Sequence, residues 1–265
     1  MKRRFCKCLL TAALLCGALT VSAGAARRNV PVQADGRAIT STSYVERGVT
    51  YVPLRALMNA LGNWNVWWDS GAGQAAAVSG DAVLRADPAK NTVTVNGRTL
   101  TGRVTVENGV TYIPLRLVGE ALGCRVEWDP CLWGAAVTSP GAAYDAVELY
   151  WLSRIIYAES GAESMTGQIA VGNVILNRVK SSAFPDSVEG VIFDRKDAVQ
   201  FEPVGNGQIY QTPSAQSVEA AKRALDGENV VGSALYFYAP ALSQGTWINA
   251  NCTYQQTIGC HRFYL

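Results

Sequence analysis

Apolar residues recur along this chain at two periods, and the change between them divides it into halves. Up to about residue 138 the period is two. Runs such as Val49-Thr50-Tyr51-Val52 and Thr92-Val93-Thr94-Val95 alternate between turn residues, as strands do. Beyond residue 146 the period is helical. Tyr150-Trp151-Leu152-Ser153-Arg154-Ile155-Ile156-Tyr157-Ala158-Glu159 is almost wholly apolar and is closed by Ser160 and Gly161. Ile169, Val171, Val174, Ile175 and Val179 mark a second helix over 164–180, and a third runs over 214–225, after Pro213 and before Gly227. Ser139-Pro140-Gly141-Ala142-Ala143 separates the halves, so the expected organisation is a domain over 28–138, a linker over 139–145 and a domain over 146–265.

The first half repeats itself. Gly48-Val49-Thr50-Tyr51-Val52-Pro53-Leu54-Arg55 returns as Gly109-Val110-Thr111-Tyr112-Ile113-Pro114-Leu115-Arg116, and Asp35-Gly36-Arg37 as Asn96-Gly97-Arg98. Asp-Gly and Asn-Gly between β-formers mark tight hairpins. After each Pro-Leu-Arg comes a short helical period, closed by Gly62 and Gly123, and then a strand ending in Trp68-Asp69 or Trp128-Asp129. Each repeat therefore reads as hairpin, helix and further strand, and two copies can bury one another's apolar faces. Trp64, Trp67, Trp68, Trp128 and Trp133 are expected as core and interface filling in preference to sugar-stacking platforms.

Residues 1–25 read as a secretory signal. Lys2, Arg3, Arg4 and Lys7 precede the apolar run from Leu9 to Leu19, and Ala23-Gly24-Ala25 offers a cleavage site. That apolar run is too short to span a bilayer, and Leu15 is too bulky before Cys16 for a lipoprotein site. Cleavage leaves 19 basic against 21 acidic side chains with no dense basic patch, which excludes a nucleic-acid footprint. Cys124, Cys131, Cys252 and Cys260 then remain in an exported chain. Their clustering suggests Cys124 with Cys131 and Cys252 with Cys260, although four cysteines allow three pairings. With His261 the only histidine and no Cys-x-x-Cys spacing, neither zinc nor another metal or cofactor is expected.

Glu159 carries the chemical interest of the second half. An acid on an apolar helix is placed where desolvation raises its pKa, as a general acid working near neutral pH requires. The plainer reading is a solvated side chain of the last helical turn. Glu163 follows four positions later, but Gly161 intervenes, so Glu163 is expected to cap or precede the next helix. The long aperiodic stretch after residue 180 includes Gln200-Phe201-Glu202-Pro203, and such segments are often functional. Tyr236 and Tyr238 share one face of a strand and Leu235 and Phe237 the other.

Two resemblances sharpen these expectations. Residues 28–138, with their paired Tyr-(Val/Ile)-Pro-Leu-Arg and Trp-Asp elements, resemble the stalk module named after the N-terminal domain of copper amine oxidases. Copper itself is not implied, because this half has no histidine. The resemblance implies a spacer or wall-docking module. Residues 149–265 resemble the SleB-type cell wall hydrolases, the group of spore cortex-lytic enzymes. The likeness runs through Tyr157-Ala158-Glu159, Gly167-Gln168-Ile169-Ala170-Val171, Asn177-Arg178-Val179, Phe184-Pro185, Gln200-Phe201, Ala234-Leu235-Tyr236-Phe237-Tyr238 and Thr257-Ile258-Gly259-Cys260-His261-Arg262-Phe263-Tyr264.

The family likeness implies an α+β chain: a repeated β-hairpin/helix stalk, then an α-rich, lysozyme-like domain with a small β element. It further implies a secreted lytic transglycosylase that acts on the glycan strands of peptidoglycan, in vegetative wall or spore cortex. Glu159 is then the catalytic acid, and Gln200, Phe201, Tyr236, Tyr238 and His261 are candidate substrate contacts. For His261 a sugar contact and a structural hydrogen bond stay equally open. Ala239 and Cys260 stand where the family commonly has asparagine. A water-using muramidase and a non-catalytic wall-binding protein are the alternatives, and an accessory protein is left open.

Overall fold

The computed structural model describes residues 26–196 and 199–265, so the expected signal over 1–25 lies outside the described residues. The first repeat forms β1 (Arg28–Val30), β2 (Val32–Ala34), β3 (Arg37–Ala38), β4 (Ser43–Glu46), β5 (Val49–Pro53), α1 (Leu54–Ala60), β6 (Asn65–Asp69) and β7 (Gln74–Ser79). After β8 (Ala82–Asp87), the second gives β9 (Thr92–Val95), β10 (Arg98–Thr101), β11 (Thr105–Glu107), β12 (Val110–Pro114), α2 (Leu115–Ala121), β13 (Arg125–Asp129) and β14 (Gly134–Thr138). The turns are the ones the dipeptides call for. At Asp35-Gly36 and Asn96-Gly97 both central residues have positive φ, between 47° and 81°, which matches the twist of a two-residue hairpin.

The repeats are interlocked. Their central strands pair antiparallel, with Val52 opposite its counterpart Ile113, inside the sheet β1-β4-β5-β12-β11. The end of the first repeat continues through β8 into the start of the second, giving β10-β9-β8-β7-β6. The end of the second repeat closes onto the start of the first, where β14 runs parallel to β2 in the sheet β13-β14-β2-β3. Helices of seven residues are not stable alone. Here Leu54, Leu57 and Met58 of α1 and Leu115 and Val118 of α2 are buried in one core with Val52 and Ile113, so packing holds them.

The second half contains α3 (Ala146–Ser160), α4 (Met165–Val179), α5 (Val188–Ile192), α6 (Glu202–Asn206), a 3-10 turn (Gln208–Tyr210), α7 (Ala215–Leu225), β15 (Tyr236–Tyr238), α8 (Thr246–Asn251), β16 (Tyr254–Ile258) and β17 (His261–Tyr264). Asp145, Ser164 and Ser214 cap α3, α4 and α7 by accepting from free N-terminal N–H groups. These three helices pack on one another. Gly172 allows the close crossing, since a Cβ there would lie 2.9 Å from Ile156 and 3.3 Å from Ala224. The sheet β15-β17-β16 lies against α4.

A packed junction joins the halves. Trp151 is fully buried, with its ring edge-on to Tyr150, Phe193 and Tyr210, and its indole N–H donates to Asp129 Oδ2 at 2.8 Å. Asp129 Oδ1 meanwhile accepts from the N–H groups of Cys131 and Leu132. Arg125 pairs with Asp145, the residue that caps α3.

Two expectations need correction. The four cysteines among the described residues are free thiols, and the geometry opposes the expected pairs. Cys124 and Cys131 flank the five residues of β13, and Cys252 and Cys260 flank the five residues of β16, so each pair is separated by a strand of about 16 Å. A disulfide needs Cα atoms about 4.4–6.8 Å apart. Cys124 is also buried in the stalk core, whereas Cys131 packs on the helical core. The tryptophans are likewise not all core: Trp64 packs half-buried, but Trp67, Trp68, Trp128 and Trp133 are exposed.

Candidate active site

Glu159 stands three and four positions after the fully buried Ile156 and Ile155, so helical periodicity turns it to the edge of the core. It is half-buried. Burial pushes its pKa from 4.5 to about 7, and the neighbouring Glu202 carboxylate pushes in the same direction. Glu202 opens α6, which packs on α3, so the Gln200-Phe201-Glu202 segment lies beside Glu159.

Phe201 is buried, its ring 6.5 Å from Phe237, and Gln200 is half-buried next to it. Phe201 also meets a residue that the sequence presented only within the Asn177-Arg178-Val179 motif. Arg178 is buried near the end of α4, its Nε donating to Leu235 O at 2.7 Å. Its guanidinium lies 4.8 Å from the Phe184 ring and 5.4 Å from those of Phe201 and Tyr236. Its Nη1 is buried without a hydrogen-bond partner among the described residues. A cation sheathed in aromatic rings keeps its charge by cation–π contact.

The short sheet divides the remaining candidates between its two faces. Tyr236 and Tyr238 share one face, as their spacing requires, and α8 covers it. Tyr236 lies 5.6 Å from Trp247, which is exposed. Tyr238 is buried, stacks on Tyr264 at 5.8 Å and exchanges hydrogen bonds with Asn249. His261 belongs to the other face. It is buried with its ring 5.4 Å from Phe237, and burial lowers its pKa.

Glu163 precedes the cap of α4, and its carboxylate turns away into the β16–β17 turn. Its Oε1 accepts from Cys260 N–H at 3.2 Å and lies 3.8 Å from His261 Nδ1, beyond hydrogen-bond reach. Gly259 makes this possible: its φ is +56°, and a Cβ there would overlap the Glu163 carboxylate. The structure thus groups Glu159 with Gln200 and Phe201, links Phe201 to Tyr236 through Arg178, and sets Tyr238 apart in its own hydrogen-bonded cluster. Arg178, Trp247 and Glu202 were not singled out as candidates from sequence. Arg178 lay within the Asn177-Arg178-Val179 motif, but nothing in the aperiodic 239–251 stretch pointed to Trp247.

Comparison with known proteins finds a family match in each half. The family described as Cell Wall Hydrolase matches residues 162–264, and the Copper amine oxidase N-terminal domain matches residues 33–132. The first match opens three residues after Glu159. A spore cortex-lytic enzyme of Halalkalibacterium halodurans is 38% identical over 111 residues, covering 42% of this chain and 33% of that protein. One of Bacillus cereus is 39% identical over 105 residues, covering 40% and 39%. The chain thus spans between a third and two fifths of these relatives' length. The solved catalytic domain of the germination-specific lytic transglycosylase SleB from Bacillus anthracis is 36% identical, covers 48% of this chain and 99% of that one, and superposes with a TM-score of 0.43. With both matches laid on the fold, the helical half of this chain belongs to the cell wall hydrolase family, and the β-rich half before it is a copper amine oxidase N-terminal-like domain.

Proposed function

We propose that this protein is an exported peptidoglycan hydrolase, and specifically a lytic transglycosylase. The observation that carries the reading is Glu159: a half-buried carboxyl on an apolar helix with its pKa at about 7, so that it holds a proton near neutral pH and gives it up readily. A glycosidase that uses water ordinarily needs two carboxylates. A transglycosylase works with one. Glu159 protonates the oxygen between N-acetylmuramic acid and N-acetylglucosamine as an oxocarbenium-like centre develops at the muramyl C1. The carboxylate so formed takes the proton of the same sugar's C6 hydroxyl, which closes on C1 as a 1,6-anhydro ring. The nucleophile is tethered, and proximity replaces the second carboxylate.

In this reading Gln200, Phe201 and Tyr236 flank the sugar, with the exposed Trp247 beside Tyr236 as a stacking platform. Residues 1–25 direct export, and the wall is the site of action. One observation favours a second reading, attack by water: Glu202 is exposed and close enough to Glu159 to raise its pKa, as a second carboxylate would be. Mass spectrometry of digested peptidoglycan separates the two, since the anhydro product is lighter by one water. Undiminished release of anhydro-muropeptides by Glu159→Gln refutes the role given to Glu159.

A further inference from the structure

The stalk contains the same cleft twice. One lies where the Pro53-Leu54-Arg55 start of α1 and Trp68 of β6 meet the turn at Gly109 from the other repeat, with a volume of about 530 Å³. The other lies where Pro114-Leu115-Arg116 and Trp128 meet the turn at Gly48, with a volume of about 610 Å³. Each cleft is therefore built from both repeats. The Val52↔Ile113 pairing sets a local twofold axis normal to the central sheet, which exchanges the clefts and keeps both on one side of it.

What the two copies share is informative because the surrounding positions have drifted. Asn59 of the first cleft answers to Glu120 in the second, and Trp67 to Glu127. Leu54 and Leu115 are buried, so packing accounts for their retention. Packing does not account for Trp68 and Trp128, which are 46% and 41% exposed, nor for the exposed Arg55 and Arg116; Arg116 makes one long bond, 3.4 Å, to the exposed Glu120 of its own cleft, a solvent-screened pair that leaves the other donors of its fork open. A large apolar ring left half in water at both copies of one position suits a ligand. An indole face offers a flat, rigid surface for the C–H face of a sugar ring, and a guanidinium in the same cleft offers a fork for a carboxylate. The ligand that presents both repeatedly is a glycan strand of N-acetylated sugars in which alternate residues bear an acidic substituent.

We propose that these clefts form a bivalent site for peptidoglycan glycan, in which Trp68 and Trp128 stack on sugar rings and Arg55 and Arg116 meet the acidic substituents. The choice of polymer rests on the reading of the chain as a peptidoglycan hydrolase. Two sites on one rigid body raise retention on a polymer far above that of either alone.

The test uses the full-length chain carrying Glu159→Gln, so that no turnover is involved. Co-sedimentation with purified sacculi, and tryptophan fluorescence with a soluble N-acetylglucosamine oligomer, are measured for Trp68→Ala, Trp128→Ala and the double variant, with thermal melting as the control for folding. Each single change is expected to weaken retention about tenfold, and the double change to abolish both retention and the fluorescence response. Trp68→Tyr with Trp128→Tyr keeps an aromatic face and is expected to hold retention within about threefold. Sedimentation of the alanine double variant at the parent's level overturns the proposal, and so does a response to free stem peptide with none to the sugar oligomer. A chain that binds the sugar oligomer through Trp68 and Trp128, yet releases no muropeptides with Glu159 intact, sinks the hydrolase reading and leaves the clefts standing.

Discussion

Replacing Glu159 by glutamine tests the electrostatics of the site apart from its catalysis. The side chain keeps its size and loses its charge. In the folded chain the carboxyl titrates at about 7 instead of 4.5, so between these values the folded state holds a proton that the unfolded state has released. Folding stability therefore falls as pH rises through that window, by about 1.4 kcal/mol per pH unit, or about 3 kcal/mol in all. The sign is that of a raised carboxyl: the cost is absent at pH 4 and complete above about pH 7. Glu159→Gln never ionises, so it matches the parent at low pH and exceeds it by about 3 kcal/mol at pH 8. Urea unfolding followed by helical circular dichroism, for parent and variant at pH 4, 5.5 and 8, reads this directly. A gap that does not change with pH would mean that Glu159 ionises like a solvated carboxyl, and the proposed acid would lose its physical basis.

Other consequences follow from neighbouring geometry. Under the proposed mechanism, turnover of peptidoglycan is expected to fall about tenfold per pH unit above pH 7, as Glu159 loses the proton that mechanism has it donate, read from the pH profile of muropeptide release. Trp151→Phe keeps most of the buried ring but removes the hydrogen bond to Asp129, costing about 1.5–3 kcal/mol in unfolding measurements. Gly259→Ala forces a Cβ against the Glu163 carboxylate at positive φ, so its melting temperature should drop by several degrees; an unchanged value would show that the turn can move away. Reducing agent should leave the melting temperature of the purified chain where it is, because Cys124, Cys131, Cys252 and Cys260 are free thiols.

The sequence was most legible where local chemistry decides the outcome. Asp35-Gly36 and Asn96-Gly97 set hairpins because few other pairs accept positive φ twice in succession, and Ser164 and Ser214 cap helices that their apolar spacing had already marked. It was least legible where a residue's environment comes from distant chain. Cys124 and Cys131 are close in sequence, but an extended strand carries them into different cores. Trp68 resembles a core residue in any count of apolar positions, yet its exposure depends on which side of β6 the other repeat covers. Arg178 ends a helix, as basic residues often do; only the return of β15 and of Phe201 encloses it. The apolar helix ending at Glu159 was visible from the start, whereas the nearness of Glu202 depended on how α6 folds back.

The parallel pairing of β2 with β14 has a mechanical meaning. Tension applied through residues 28 and 140 would pull these two strands past one another along their length. The three register pairs, the bonds from Asp35 N–H to Val137 and from Ala135 N–H to Pro31, and the grip of Asp35 on the Ser139 N–H and hydroxyl would then be strained together. A junction loaded in shear resists far more force than one that unzips bond by bond. The β-rich half is thus a clasp whose two ends meet, able to carry strain while the hydrolase domain beyond it remains folded.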